Sequence, residues 1–183
     1  KLSIIIPVFN EEKTILKILK KINSLDKINK EIIVVDDGST DNSKSKIENE
    51  CLDLIDKNIF LDKNYGKGYA CRKGIENSTG DIILIQDADL EYDPNNYYRL
   101  LEPIRNNIAK VVYGSRIMPG SNTVDNKRFN LHYKFGNFFL TKLSNILNKQ
   151  NLTDAHTCYK VFKADIIKSI SLKEDNFNFC PEV

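Results

Sequence analysis

Residues Asp81–Pro94 read DIILIQDADLEYDP. Ile82–Ile85 is wholly apolar, as suits a strand buried on both faces. It runs into Asp87-Ala88-Asp89. Residues two apart along an extended chain point to one side, so both carboxylates are expected to face one way at the carboxyl end of a central strand. Ligands of open α/β sheets bind in that region. Neighbouring carboxylates repel and raise each other's pKa unless a cation lies between them. A divalent metal holding a diphosphate suits the place, because Mg2+ is bound by a carboxylate or two plus phosphate oxygens. The plainer reading is a turn: Asp93-Pro94 has the form of an N-cap followed by proline at the first helical position. An EF-hand loop starting at Asp87 is excluded, since Tyr92 stands where glycine is required and Tyr98 where the bidentate glutamate is required.

Upstream of this stretch, strand and helix patterns alternate. Leu2–Phe9 is apolar and β-branched, broken by Pro7. Asn10 is expected to cap a helix that opens with Glu11 and Glu12. Ile15, Ile18, Leu19, Ile22 and Leu25 keep helical spacing with lysines on the other face. A strand at Glu31–Val35 leads into Asp36-Asp37-Gly38-Ser39, a helix covers about 40–52, and a strand lies near Asn58–Leu61. Asn64-Tyr65-Gly66-Lys67-Gly68 opens a helix from Tyr69 to about Asn77, with Gly80 as its stop. Downstream, a helix from Pro94 to about Asn106 and a strand at Lys110–Tyr113 follow. Short loops between alternating elements predict a parallel α/β sheet. In such a sheet Asn10-Glu11, Asp36-Asp37 and Asp87-Ala88-Asp89 all fall on one edge. Asp37 at that edge suits a hydrogen-bond acceptor for a base or ribose, or an Asx turn with Gly38.

After Arg116 the pattern changes. Residues 118–127 read as a flexible loop. Arg128–Lys149 is helical and aromatic, with basic Lys127, Arg128, Lys134 and Lys142 interleaved. It reads either as a core helix or as an amphipathic element on a membrane surface, and aromatic stripes favour the core. A strand at Tyr159–Phe162, a helix near Ala164–Ile170 and an aromatic end at Phe177–Phe179 complete the chain.

The 183 residues suffice for one domain with a substantial core, and 41% hydrophobic with 28% charged residues is ordinary for a soluble globular protein. A net charge of +2 with scattered lysines argues against a dedicated nucleic-acid binder. Four dispersed cysteines without a CxxC pair predict reduced thiols in a cytosolic setting. No apolar run is long enough to span a bilayer and no signal peptide is evident. Asn77-Ser78-Thr79 and Asn151-Leu152-Thr153 match the glycosylation acceptor pattern by chance. The chain opens inside a strand pattern without Met and stops after an aromatic stretch, so a longer parent is expected, truncated at its C-terminus. Gly66-Lys67-Gly68 lacks the third glycine of a dinucleotide fingerprint, Cys71 standing there, and lacks the GxxxxGK[ST] pattern. A lysine at a helix N-terminus still suits phosphate.

Pro7-Val8-Phe9-Asn10-Glu11, Val34-Val35-Asp36-Asp37-Gly38-Ser39, Gly66-Lys67-Gly68, Asp87-Ala88-Asp89, Gly114-Ser115-Arg116 and Asp154–Lys160 occur in this order. The ordered set resembles family 2 glycosyltransferases of GT-A fold, and more narrowly the dolichyl-phosphate mannose synthase-like, polyprenyl-phosphate branch. The resemblance implies a Rossmann-like, mostly parallel sheet flanked by helices in a single domain, 1–183. Its nucleotide-sugar part would lie at about 1–116 and its acceptor side at about 117–183. It implies inverting transfer of a sugar from a UDP- or GDP-linked donor with Mg2+ or Mn2+, at the cytoplasmic face of a membrane.

By the family pattern Pro7, Phe9, Glu11, Val35 and Asp37 line the nucleotide pocket, with Lys67 near the phosphates. Asp87, Ala88 and Asp89 hold the metal–diphosphate with Glu91 beside them. Arg116 faces the phosphates, and Arg128 and Lys134 meet an acceptor phosphate. Phe9 replaces the usual Tyr, Glu91 the frequent Gln, and Cys158 the common Gly. A lipid monophosphate acceptor, with a second pKa of about 6, is already anionic and needs no base. A saccharide hydroxyl needs a carboxylate base, for which Glu182 is the candidate. A nucleotide-sugar-binding module without turnover, and more distantly a response-regulator receiver, are the readings outside this activity.

Overall fold

The computed structural model describes residues 1–115, 131–155 and 157–183, the side chains of 131–135 excepted. Six strands form one sheet in the order β3-β2-β1-β4-β6-β5. β1 (Leu2–Val8), β2 (Lys30–Asp36), β3 (Lys57–Phe60) and β4 (Ile82–Ile85) are mutually parallel, with Ile5 opposite both Ile33 and Ile85. β5 (Val111–Tyr113) does not pair with β4. β6 (Lys160–Lys163) lies between them, antiparallel to both. The sheet is therefore assembled from both the earlier and the later part of the chain.

Period-two alternation decides which side each strand residue serves. Ile4, Ile6 and Val8 of β1 with Ile32 and Val34 of β2 pack against α1 (Ile15–Asn23), α2 (Ser43–Glu50) and α4 (Tyr97–Arg105). Ile5, Ile83, Ile85 and Phe162 turn the other way, onto α3 (Lys67–Asn77), α6 (Ala164–Ser169) and the short α7 (Phe179–Glu182). The wholly apolar strands are so because they are covered on both faces.

Three local expectations are corrected. Asn10 does not cap its own helix: it sits at φ 58° and its Oδ1 accepts from the amides of Thr40 (2.8 Å) and Asp41 (3.3 Å). α1 starts only at Ile15, after a turn in which Thr14 and Ile15 donate to the Glu11 carbonyl. Gly80 is not a helix stop. α3 ends at Asn77, and a Cβ on Gly80 would lie 2.6 Å from Ser3 Oγ and 2.7 Å from the Lys1 carbonyl. There the glycine serves close approach.

α5 (Leu131–Asn148) inverts the expected burial. Asn137 and Asn145 donate to Asp154 Oδ1 (3.1 Å) and the Leu152 carbonyl (2.8 Å), and Thr141 Oγ1 accepts from the Ala155 amide (3.2 Å). These residues recur every four positions, so a polar stripe holds the helix to the 152–155 loop. Phe138, Phe139, Leu143, Ile146 and Leu147 are exposed instead of buried. No helix among the described residues is long and apolar enough to cross a membrane.

At the sheet end remote from Asp87, buried Glu31 accepts from Ser3 Oγ (2.5 Å), Lys1 Nζ (2.6 Å) and the Thr79 amide and hydroxyl (2.6 Å each). Burial alone would raise its pKa, but these donors together hold it far below its ordinary 4.5. A depressed carboxylate contributes stability above its unfolded pKa and loses it as pH falls through the folded one. Glu31→Gln is therefore expected to cost about 2–3 kcal/mol at neutral pH, a deficit that shrinks steadily in acid below the ordinary value. Urea titrations of both proteins across that range check it.

Candidate active site

The cleft opens where β1, β2 and β4 end. The Asp37 amide donates to the Val8 carbonyl (2.8 Å) and the Gln86 amide to that of Ile5 (2.9 Å), so the chain leaves both strands in register with β1. The space is about 460 Å3, within the range of a small-ligand site. Pro7, Phe9, Glu11 and Asp37 line it from β1 and β2, and Asp87, Ala88, Asp89 and Glu91 from the turn after β4. Lys67 reaches it from the first turn of α3. The structure thus brings together all but one of the described residues expected at the donor. The exception is Val35, which is fully buried with Ile33 against Ala70 beneath the cleft, because alternation turns it under α3.

Asp87 and Asp89 share the cleft for a reason other than the expected one. β4 ends at Ile85, so strand alternation does not reach them. A turn carries them instead, with Leu90 at φ 68° and the Glu91 amide donating to Asp89 Oδ1 (2.9 Å). Gln86, fully buried, clamps that turn from below: Nε2 donates to the carbonyls of Asp87 (2.9 Å) and Tyr92 (3.4 Å), and Oε1 accepts from the Tyr97 hydroxyl (3.0 Å). Asp93 caps the Asn95 amide (3.1 Å), as its pairing with Pro94 predicts.

Lys67 Nζ lies 2.5 Å from Asp87 Oδ1 and 3.3 Å from Cys158 Sγ. Burial would lower its pKa, but the Asp87 charge prevails and keeps the ammonium above its ordinary value. Asp89 is raised by burial within the cleft walls and by Asp87. Glu11 is raised by burial and by Asp89 and Asp87. Asp37 is raised by burial, partly offset because its two oxygens accept from the amides of Tyr65 and Gly66 (2.8 Å each). Asp37 holds the loop that delivers Lys67 rather than an Asx turn with Gly38, and each of its oxygens keeps a second lone pair for a ligand in the cleft it lines.

The glycines of that loop are needed for a protein neighbour. Gly66 is at φ 105°, and a Cβ there would sit 2.5 Å from the Asp175 carbonyl oxygen. One on Gly68 would sit 2.2 Å from that of Glu174. The Tyr69 amide donates to Asp175 (3.0 Å) and Arg72 to the Glu174 carbonyl (2.5 Å). This clamp brings Asn176 and Phe177 to the cleft wall beside Asn64 and Cys158. The sequence does not mark any of these four as a wall of the cleft, since only the glycine spacing hints that backbone passes close by. Gly68→Ala is expected to displace the 174–177 segment and cost about 2–3 kcal/mol, seen as a lower urea midpoint and faster proteolysis after Lys173.

Glu182 stands elsewhere. Its oxygens accept from the amides of Lys173 (2.7 Å) and Glu174 (3.1 Å), and it lines a second cleft of about 320 Å3 with Tyr113, Leu143 and Cys180. Its chain position put it near the acceptor, but the fold uses the carboxylate to close the 173–182 loop. Arg116, Arg128 and the Lys134 side chain lie outside the described residues. The expected metal set of Asp87, Asp89 and Glu91 is not gathered as a trio: among the described residues no three carboxylate, imidazole or thiol side chains enclose a common point.

The sequence pattern of Glycosyl transferase family 2 matches residues 3–171. The chain belongs to glycosyltransferase family 2. It is 34% identical over 180 residues to an uncharacterized protein of Methanocaldococcus jannaschii, covering 91% of this chain and 73% of that protein. To the dolichol-phosphate mannosyltransferase of Pyrococcus furiosus it is 34% identical over 121 residues, 66% of this chain and 34% of that protein. Among solved structures, glucosyl-3-phosphoglycerate synthase of Mycobacterium tuberculosis, crystallised with Mn2+, UDP-glucose and phosphoglyceric acid, superposes with a TM-score of 0.73 at 18% identity. That match covers 99% of this chain and 62% of the synthase and shows the shared GT-A fold. The family 2 chain thus spans less than two thirds of the mannosyltransferase and of the synthase.

Proposed function

We propose that this family 2 chain moves a sugar, with inversion, from a UDP- or GDP-linked donor to a polyprenyl or dolichyl phosphate at the cytoplasmic face of a membrane. The observation that carries the donor half is the cleft's charge. Among the described residues that line it, five carboxylates face one ammonium, and Asp87 already occupies that ammonium. A diphosphate enters such a site only with a cation that outweighs the repulsion. Asp89 and Asp87, with Glu91 behind them, would hold Mg2+ or Mn2+, and the donor's own phosphate oxygens would complete the ligand set that the protein leaves short. When bound, the metal stabilises the charge that builds on the departing nucleoside diphosphate.

The chain's own residues do the rest. Phe9 and Pro7 give the nucleotide an apolar wall. Asp37 fixes the Gly66 loop, and Lys67 holds the Asp87 carboxylate in one position. The raised pKa values of Glu11 and Asp89 fit a site that is repulsive until a cation arrives. Arg116, Arg128 and Lys134 are proposed as phosphate contacts on the family pattern alone. The phosphate acceptor is supported by the Pyrococcus relative's name, by the exposed apolar face of α5, and by Glu182: the base that a saccharide hydroxyl would call for is bound to two amides.

A thermal-shift panel of UDP- and GDP-sugars with and without Mn2+ tests the donor half. One donor at a hundredfold over its Kd should add about 2.7 kcal/mol of stability, with metal only. An equal shift in a chelator, or none with any donor, overturns the reading. Transfer from that donor to a polyprenyl phosphate, and not to a saccharide, identifies the acceptor. Binding with neither transfer nor hydrolysis would leave a non-catalytic module.

A further inference from the structure

We propose that Cys158 and Cys180 form a reversible disulfide, a redox-modification site set in the wall between the acidic cleft and the second cleft. The two sulfurs lie 3.6 Å apart although the residues are 22 positions apart in the chain. Cys158 lines the acidic cleft and Cys180 lines the second one, so a small oxidant reaches the pair from either side. Cys158 precedes β6 and Cys180 sits on α7, and both are free thiols. The bond would staple the segment that carries Asn176 and Phe177 to the chain leading into β6, the strand between β4 and β5.

The surroundings make the pair reactive and asymmetric. Cys180 is held below the ordinary thiol range by the hydrogen bond from Cys158 and by the Lys67 and Lys160 charges, while Cys158 is pushed up by that bond and by burial. Cys51 and Cys71 offer the contrast: each is fully buried, with no sulfur partner, and burial pushes both thiols up. Thiolate character and access decide which cysteines exchange.

With a low-molecular-weight disulfide such as oxidised glutathione, the Cys180 thiolate attacks one sulfur and expels glutathione thiolate. Cys158 then gives up its proton and attacks the Cys180 sulfur of the mixed disulfide, expelling the second glutathione. The pair loses two electrons and two protons, and one glutathione disulfide becomes two thiols. Intracellular disulfides of this kind are transient and redox-sensing.

Incubation with oxidised glutathione, trapping of free thiols with an alkylating agent and peptide mapping test the site without reference to any donor. The expected result is a Cys158–Cys180 cross-linked peptide that dithiothreitol removes, with Cys51 and Cys71 alkylated only after unfolding. The oxidised chain should melt several degrees higher, as a loop closed in the unfolded state requires, and Cys180→Ser should show neither cross-link nor shift. Separate glutathione adducts on both cysteines of the wild-type chain, or two alkylated thiols, while circular dichroism reports a folded protein, would overturn the proposal whatever the variant does.

Discussion

Replacing Asp89 by asparagine is expected to cut sugar transfer about a thousandfold while leaving the fold intact. Asparagine keeps an acceptor oxygen for the Glu91 amide, so the turn after β4 survives. What disappears is the carboxylate that Asp87 and burial already strain. The donor-dependent stabilisation of about 2.7 kcal/mol at saturation should vanish with it, whether Mn2+ is present or not. Turnover and melting temperature measured side by side check both halves. An asparagine variant that still binds donor in a metal-dependent way would remove Asp89 from the site.

Lys67→Met is expected to destabilise the chain by about 3–5 kcal/mol, because it leaves the Asp87 carboxylate buried without its cation. The two side chains are only 14% and 13% exposed, so water cannot replace the lost partner. Lys67→Met with Asp87→Asn should recover most of the lost stability and none of the transfer. Urea midpoints for the two single variants and the double variant give the coupling directly. A single variant as stable as wild type would mean that Lys67 is not the charge that holds Asp87.

Much of the architecture could be read before any coordinates. Six strand segments are marked by short β-branched and apolar runs, and each forms within a residue or two of its expected place. That works because alternation and burial act on nearby residues. The mistaken readings share a different cause. Asn10 has the composition of a helix cap, yet a strand neighbour offers its carboxamide the unpaired amides of Thr40 and Asp41. The aromatic stripe of α5 has the composition of a core face, yet Asn137, Thr141 and Asn145 find partners in a loop, and the apolar side is left outward. Glu182 has the expected charge at the expected chain position, and backbone amides take it up. In each case a hydrogen bond to a segment outside the residue's own element outweighs local preference.

The chain's own letters determined that a parallel α/β sheet would gather Glu11, Asp37, Asp87 and Asp89 along one edge, because strand polarity sets which loops share a rim. Tertiary structure alone decided that β6 slides between β4 and β5, and that residues 174–177 lie across Gly66 and Gly68 as a wall of the cleft. It also decided that two cysteines 22 positions apart meet beside Lys67. These contacts join segments that no local pattern pairs, and only packing against the finished sheet makes them neighbours.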